Sequence, residues 1–218
     1  MASNGQRTRA VVVVNGDDVY EDLFGGCLAL TEMATAAGFV TSHQVGMQQF
    51  LNNDPDPAVY VLYTATGQCS AAQQDALADR VRAGAGLIAL HASNLFGPDE
   101  PLFRLIGSRY ASHGPLPHES TFEVKVTARH PITHGVKDFH IQHEHYRLEL
   151  AGENVTVLAH RDTPDGPEPL LYVREVGAGR ICYFQLGHDM RAWDEPAVRT
   201  ILRQALHWAG KTGDAHAV

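Results

Sequence analysis

Long apolar runs are missing from this chain of 218 residues, and no stretch approaches the ~20 residues that a membrane-crossing helix needs, so no membrane partner is expected. Cysteine is scarce. Cys27, Cys69 and Cys182 are odd in number and far apart, which argues against a disulfide framework or a paired zinc site and favours a reducing, cytoplasmic setting. No segment concentrates lysine and arginine, and the formal net charge is −8, so nucleic acid is not an expected partner either. The first nine residues are polar with two arginines and no apolar h-region follows them, so a secretory leader is not expected. Neither a Gly-x-Gly-x-x-Gly nor a Walker pattern follows the first apolar segment, which leaves a nucleotide cofactor without support.

What is present suffices for a core. With 44% hydrophobic residues, a chain of this length builds one domain without covalent staples, expected over 10–210 between a flexible N-terminus (1–9) and a flexible tail (211–218). Ala10–Val14 reads as a buried strand, Asp22–Gly38 as a helix, Phe39–Val45 as a second strand and Tyr60–Tyr63 as a third. Ser70 caps the next helix. The run Gly86-Leu-Ile-Ala-Leu-His91 is the clearest feature, a short apolar strand that delivers a histidine to its carboxyl end, where open α/β sheets bind ligands. Strand and helix alternate in this half, which implies a parallel sheet covered on both faces. After residue 95 the pattern turns to β: Ser120–Val126, His143–Leu150, Val155–His160, Leu170–Val176 and Arg180–Leu186, after a short helix over Pro101–Ile106. Pro196–Ala209 closes the chain as an amphipathic helix. The fold class is α/β, a mostly parallel central sheet with β-rich additions in the second half.

Gly86-Leu-Ile-Ala-Leu-His91, Leu105-Ile-Gly-Ser-Arg-Tyr110-Ala-Ser-His113, His130-Pro-Ile-Thr133, Glu144-His-Tyr146 and Gly179-Arg-Ile-Cys-Tyr-Phe-Gln-Leu-Gly-His188 together resemble the ThuA family of trehalose-utilisation proteins, in the class I glutamine amidotransferase-like superfamily. The resemblance runs from the first strand to Trp208. It implies a flavodoxin-like three-layer sandwich and a role in carbohydrate catabolism, with a small-molecule carbohydrate as partner. It also places a Glu-x-Tyr step on the cleft. The chain departs from the family pattern at His143, where an aspartate is usual before the glutamate.

Glutaminase chemistry needs a thiolate at the strand-to-helix elbow, and His91 stands in that place. Cys27 reads as a helix-core residue, Cys69 as a loop residue and Cys182 as a strand residue, so glutamine hydrolysis is not expected. Three imidazoles beside small residues (His91, His113 and His188) together with Glu144 form the candidate catalytic set. They suit acid–base chemistry near neutral pH, or a divalent metal held by these same four residues. No local metal motif such as His-Glu-x-x-His is present. Asp17, Ser93, Tyr146 and Trp193 are candidate sugar-binding residues, Asp17 by hydrogen bonding and Trp193, in a loop after His188, by stacking. Period-two alternation puts Glu144 and Tyr146 on one face, with His143 and His145 on the other. His130, His134, His140, His143 and His145 read as surface and turn histidines. The expected activity is isomerisation, elimination or hydrolysis of a sugar or keto-sugar. The alternative is a non-catalytic sugar-binding or regulatory module on an amidotransferase-like scaffold. Homodimerisation through the β-rich half is left open by the sequence.

Overall fold

A computed structural model describes residues 8–16, 19–52, 54–65, 69–151 and 154–212. The expected flexible N-terminus and tail, apart from the described residues 8–9 and 211–212, lie outside these, as does Asp17. Five strands form the parallel half of the sheet: β1 (Arg9–Asn15), β2 (Val40–Val45), β3 (Val59–Thr64), β4 (Gly86–Leu90) and, at the far end of the chain, Gly179–Phe184. Their spatial order is second, first, third, fourth and last, the flavodoxin-like order, whose switch point lies between β1 and β3. Every residue of β3 and β4 is buried, which is why these strands read as continuous apolar runs with no alternation.

Helices α1 (Leu23–Ala36) and α2 (Ala71–Ala83) connect the early strands. Each begins as its sequence predicts: Asp22 accepts from the Gly25 N–H, and Ser70 forms a reciprocal capping box with Gln73. The short α3 (Pro101–Ile106) packs beside α2, on the sheet face whose core includes Leu62, Leu77, Leu87 and Tyr183. The opposite core, built on Val12, Ile88 and Phe184, lies under α1 and the closing helix.

The second half departs from expectation in three places. Ser108–Ser112 is a strand, β5, followed by β6 (Glu119–Val126). The segment expected as one strand over 143–150 is two: β7 (Phe139–Glu144) pairs with β6, whereas β8 (Arg147–Leu150) pairs with β5 in a separate two-stranded sheet. The chain changes sheets at His145-Tyr146, so period-two alternation does not run through it. β9 (Thr156–Thr163) and β10 (Gly166–Val176) then make an antiparallel hairpin that leads into β11 (Gly179–Phe184), the last parallel strand. Finally, the segment after His188, expected as a loop, holds a short helix α4 (Met190–Asp194), capped by Asp189, ahead of α5 (Pro196–Ala209). No helix among the described residues is long and apolar enough to cross a membrane.

Candidate functional site

The carboxyl ends of the parallel strands converge on one polar cluster. Strand β4 ends at His91, whose φ of 46° lies in the left-handed region. A non-glycine residue held there is strained, and two bonds fix it: the His91 Nδ1–H donates to the Gln185 carbonyl (2.8 Å), and the His91 carbonyl accepts from the Tyr183 hydroxyl (2.9 Å). The first bond decides the tautomer. Nε2 therefore faces Glu21 Oε1 and Glu144 Oε2, each 3.3 Å away, and makes no hydrogen bond although it is fully buried.

Glu21 lies between β1 and α1, beside the switch point of the sheet, and is buried. His188 follows β11, and its Nδ1 sits 2.9 Å from Glu21 Oε2 and 3.3 Å from Glu144 Oε2. Glu144 is the last residue of β7 and meets all three candidate imidazoles. Its Oε1 accepts from His113 Nε2–H (2.9 Å), while His113 Nδ1 accepts from the Tyr110 hydroxyl (2.6 Å). Tyr146 stacks on the His91 ring with centroids 4.4 Å apart.

Charge follows from these contacts. Burial by itself lowers the His91 pKa, but the adjoining carboxylates of Glu144 and Glu21, each 3.3 Å from Nε2, outweigh it and raise the value to about 9. The Glu21 bond raises the His188 pKa against the effect of burial. Burial favours the neutral acid of both carboxyls, yet the imidazoles hold Glu21 below the usual range and bring Glu144 down to about 2. In the metal-free protein, two carboxylates thus share protons held by two rings.

The same atoms meet the requirements of a cation site. One ligand atom from each of Glu21, His91, Glu144 and His188 lies within 4.8 Å of the others. Two imidazole nitrogens and two carboxylate oxygens suit a first-row divalent ion, and a ligating histidine usually donates its other N–H to a carbonyl, as His91 does to Gln185. The orphaned Nε2 lone pair, aimed at two carboxylates, needs either a proton or a cation between them.

A cavity of about 230 Å³ opens over this cluster, walled by Tyr20, Leu95, Tyr110, His113 and Tyr146, with Glu21, Glu144 and His188 at its polar side. A larger surface groove, about 670 Å³, runs along residues 126–136, and none of the four clustered groups lines it.

The family model described as trehalose utilisation, ThuA, matches residues 10–209. The chain belongs to the ThuA family. That membership links it to carbohydrate metabolism. Among solved structures, it is similar to a putative ThuA-like protein from Parabacteroides merdae (16% identity, TM-score 0.77), covering 97% of this chain and 93% of that one. A cytoplasmic protein from Salmonella typhimurium is similar at 11% identity and TM-score 0.64, over 92% of this chain and 98% of that one. A β-galactosidase from Bacillus circulans is similar at 13% identity and TM-score 0.61, over 94% of this chain but 31% of that one. At these identities the likeness is one of fold. No curated protein sequence matches the chain.

Against this ThuA-family fold, the sequence expectations divide. His91, His113, Glu144 and His188 do meet, but His91 is fully buried and does not line the cavity, so it touches the carboxylates and not a bound molecule. His113 contacts Glu144 from outside the four-atom cluster, and its place in the expected metal set is taken by Glu21. Ser93 is corrected from sugar ligand to structural residue: it is buried, donating to the Leu62 carbonyl and accepting from the Thr64 N–H. Trp193 is also buried, edge-on to Tyr63, with no face for a sugar to stack on. His143 is not a surface histidine. It lies at 1% exposure with Nε2 accepting from both the Gly187 and His188 N–H groups, and Nδ1–H donating to the Glu144 carbonyl. The three cysteines lie away from the His91 elbow, in α1, before α2 and in β11, and burial pushes the Cys69 thiol up to about 11. Glu21 was not among the expected residues. The signal available was an acidic pair, Glu21-Asp22, at the mouth of α1, where only one of the two is needed as a cap.

Proposed function

We propose that this protein is an enzyme acting on a sugar or keto-sugar by carboxylate and imidazole acid–base chemistry, with a divalent cation held by Glu21, His91, Glu144 and His188. The observation that carries this reading is the buried Nε2 of His91, without a hydrogen bond and facing two carboxylates at 3.3 Å. When bound, such a cation polarises a carbonyl oxygen and acidifies the adjoining C–H.

Glu144 is ionised at neutral pH, and its side chain reaches the cavity, so it is the group that takes a proton from the substrate. A carboxylate is a weak base toward carbon, so the C–H that it deprotonates must first be acidified. His113, donating Nε2–H to Glu144 and accepting the Tyr110 hydroxyl at Nδ1, orients the carboxylate. The walls supply the rest. Tyr20, Leu95, Tyr110 and Tyr146 present apolar and aromatic surface suited to the face of one ring, and about 230 Å³ is below the ~300 Å³ at which pockets for drug-sized ligands begin. The reading therefore takes a monosaccharide, or the terminal ring of a glycoside, acting in the cytosol.

Deuterium exchange tests this without knowledge of the product. In D2O, a keto-sugar should gain deuterium at the carbon beside its carbonyl, in the presence of Mn2+, Co2+ or Zn2+. Glu144→Gln should slow the exchange by about a hundredfold or more. Saturable keto-sugar binding without exchange or turnover would replace the enzyme with a binding module.

A further inference from the structure

Tyr146 carries a hydroxyl that the fold does not use. Its ring is held on three sides: it stacks on His91, and the rings of Tyr110 and His113 meet it at centroid distances of 4.6 and 5.5 Å. The residue is only 4% exposed, and its hydroxyl makes no hydrogen bond to any described residue. Yet that oxygen is not sealed from solvent, so the small accessible part of Tyr146 includes its polar end, on the cavity that it walls. We propose that this hydroxyl donates the hydrogen bond that holds the substrate's carbonyl oxygen as it becomes an enolate oxygen. The role deepens the enolising activity proposed above and rests on it.

Phenylalanine would satisfy the packing. A hydroxyl drawn out of water without a partner costs free energy, and a bound molecule that accepts its hydrogen bond removes that cost. Glu21, Tyr110, His113 and Glu144 line the same cavity, and each already has a protein partner. A phenol keeps its proton at neutral pH, so Tyr146 offers a donor where the carboxylates offer only acceptors. Glu144 and Tyr146 stand two residues apart and both line the cavity, which suits a substrate whose C–H meets the first and whose adjoining oxygen meets the second. When the Glu144 carboxylate takes the proton, the C–H electron pair becomes a C=C bond and the carbonyl π pair moves onto oxygen. Tyr146 holds that oxyanion and keeps its own proton, and the reverse flow returns a proton from Glu144 to carbon. Fixed by three rings, the donor needs no reorganisation as charge develops, so its bond strengthens in the transition state.

Deuterium exchange from D2O, with D-fructose and 3-keto-D-glucose as probes and the same three cations, is followed against sugar concentration. Tyr146→Phe should lower kcat for exchange about a hundredfold or more and change KM by less than about threefold. Because the hydroxyl bonds to no described residue, the variant should melt no lower than wild type. A fall in melting temperature, or failure to fold, makes the hydroxyl a structural group and overturns the proposal. An unchanged kcat overturns it too, including one accompanied by a raised KM, the mark of a hydroxyl that binds ground state and enolate alike. In each of these cases, wild-type exchange that Glu144→Gln abolishes leaves the enolising activity standing. A wild type that exchanges neither probe overturns that activity, and the role of Tyr146 with it.

Discussion

His143 is held in one protonation state. Its Nε2 lone pair serves two backbone N–H groups, and burial, followed by the nearby His91 charge, lowers its pKa to about 3. The unfolded chain takes up this proton near pH 6.5, so the folded state loses stability as pH falls from about 6.5 toward 3, by ~1.4 kcal/mol per pH unit. His91 works in the opposite sense: with a folded pKa of about 9, it contributes stability that is full below about 6.5 and lost as pH rises through 9. Glutamine at position 143 retains an acceptor for the two N–H groups and cannot be protonated. Urea unfolding of wild type and His143→Gln should therefore show wild type losing about 2 kcal/mol relative to the variant between pH 7 and pH 5, the His91 contribution being common to both. A difference that stays constant over that range counts against the assignment. None of this was legible in the sequence. His143 stands in a run of irregularly spaced histidines, and its burial depends on a sheet change two residues later.

At the scale of elements, the parallel strands were legible because both their faces are buried, and β1, β3 and β4 appear as apolar runs without alternation. The helix caps at Asp22 and Ser70 were legible for a local reason, since capping needs only neighbouring residues. The break between β7 and β8 was not, because Tyr146 leaves the ladder to stack on His91, a contact 55 positions away in the chain. The turn after β11 shows how such a long-range contact is held. Gly187 has φ of 143°, and a Cβ there would lie 2.6 Å from the Trp193 ring, which is itself fully buried. Trp193 thus packs beneath the turn that aims His188, and that is why it has no free face. Gly187→Ala should cost about 2–4 kcal/mol through backbone strain and overpacking combined. Gly135→Ala provides the contrast: φ is 71° and nothing lies within 4 Å, so only strain, about 1 kcal/mol, is expected. Equal losses in chemical denaturation would mean that the Trp193 contact does not constrain the turn.

In the whole molecule, the candidate site joins parts of the chain that the sheet brings together only when folding is complete. Glu21 follows β1, His91 ends β4, Glu144 ends β7 and His188 follows β11, so the unfolded chain offers no preformed version of the cluster. A cation that binds here binds the native state alone, and its binding free energy appears as folding stability. At a free concentration one hundred times the dissociation constant, the gain is about 2.7 kcal/mol. For a chain of this size, that raises the melting temperature by roughly 5–10 °C. Cation and protons also compete, because the ring nitrogens of His91 and His188 that face the carboxylates are the ones a cation takes. Thermal unfolding with EDTA, and then with excess Mn2+, Co2+ or Zn2+, should show this rise in wild type. In Glu21→Gln, which removes one of the two carboxylates, most of it should be lost. If none of these ions moves the wild-type transition by more than about a degree, the cluster is a network of proton-sharing ion pairs. His91 then needs its proton, and the raised pKa near 9 keeps that proton in place at neutral pH.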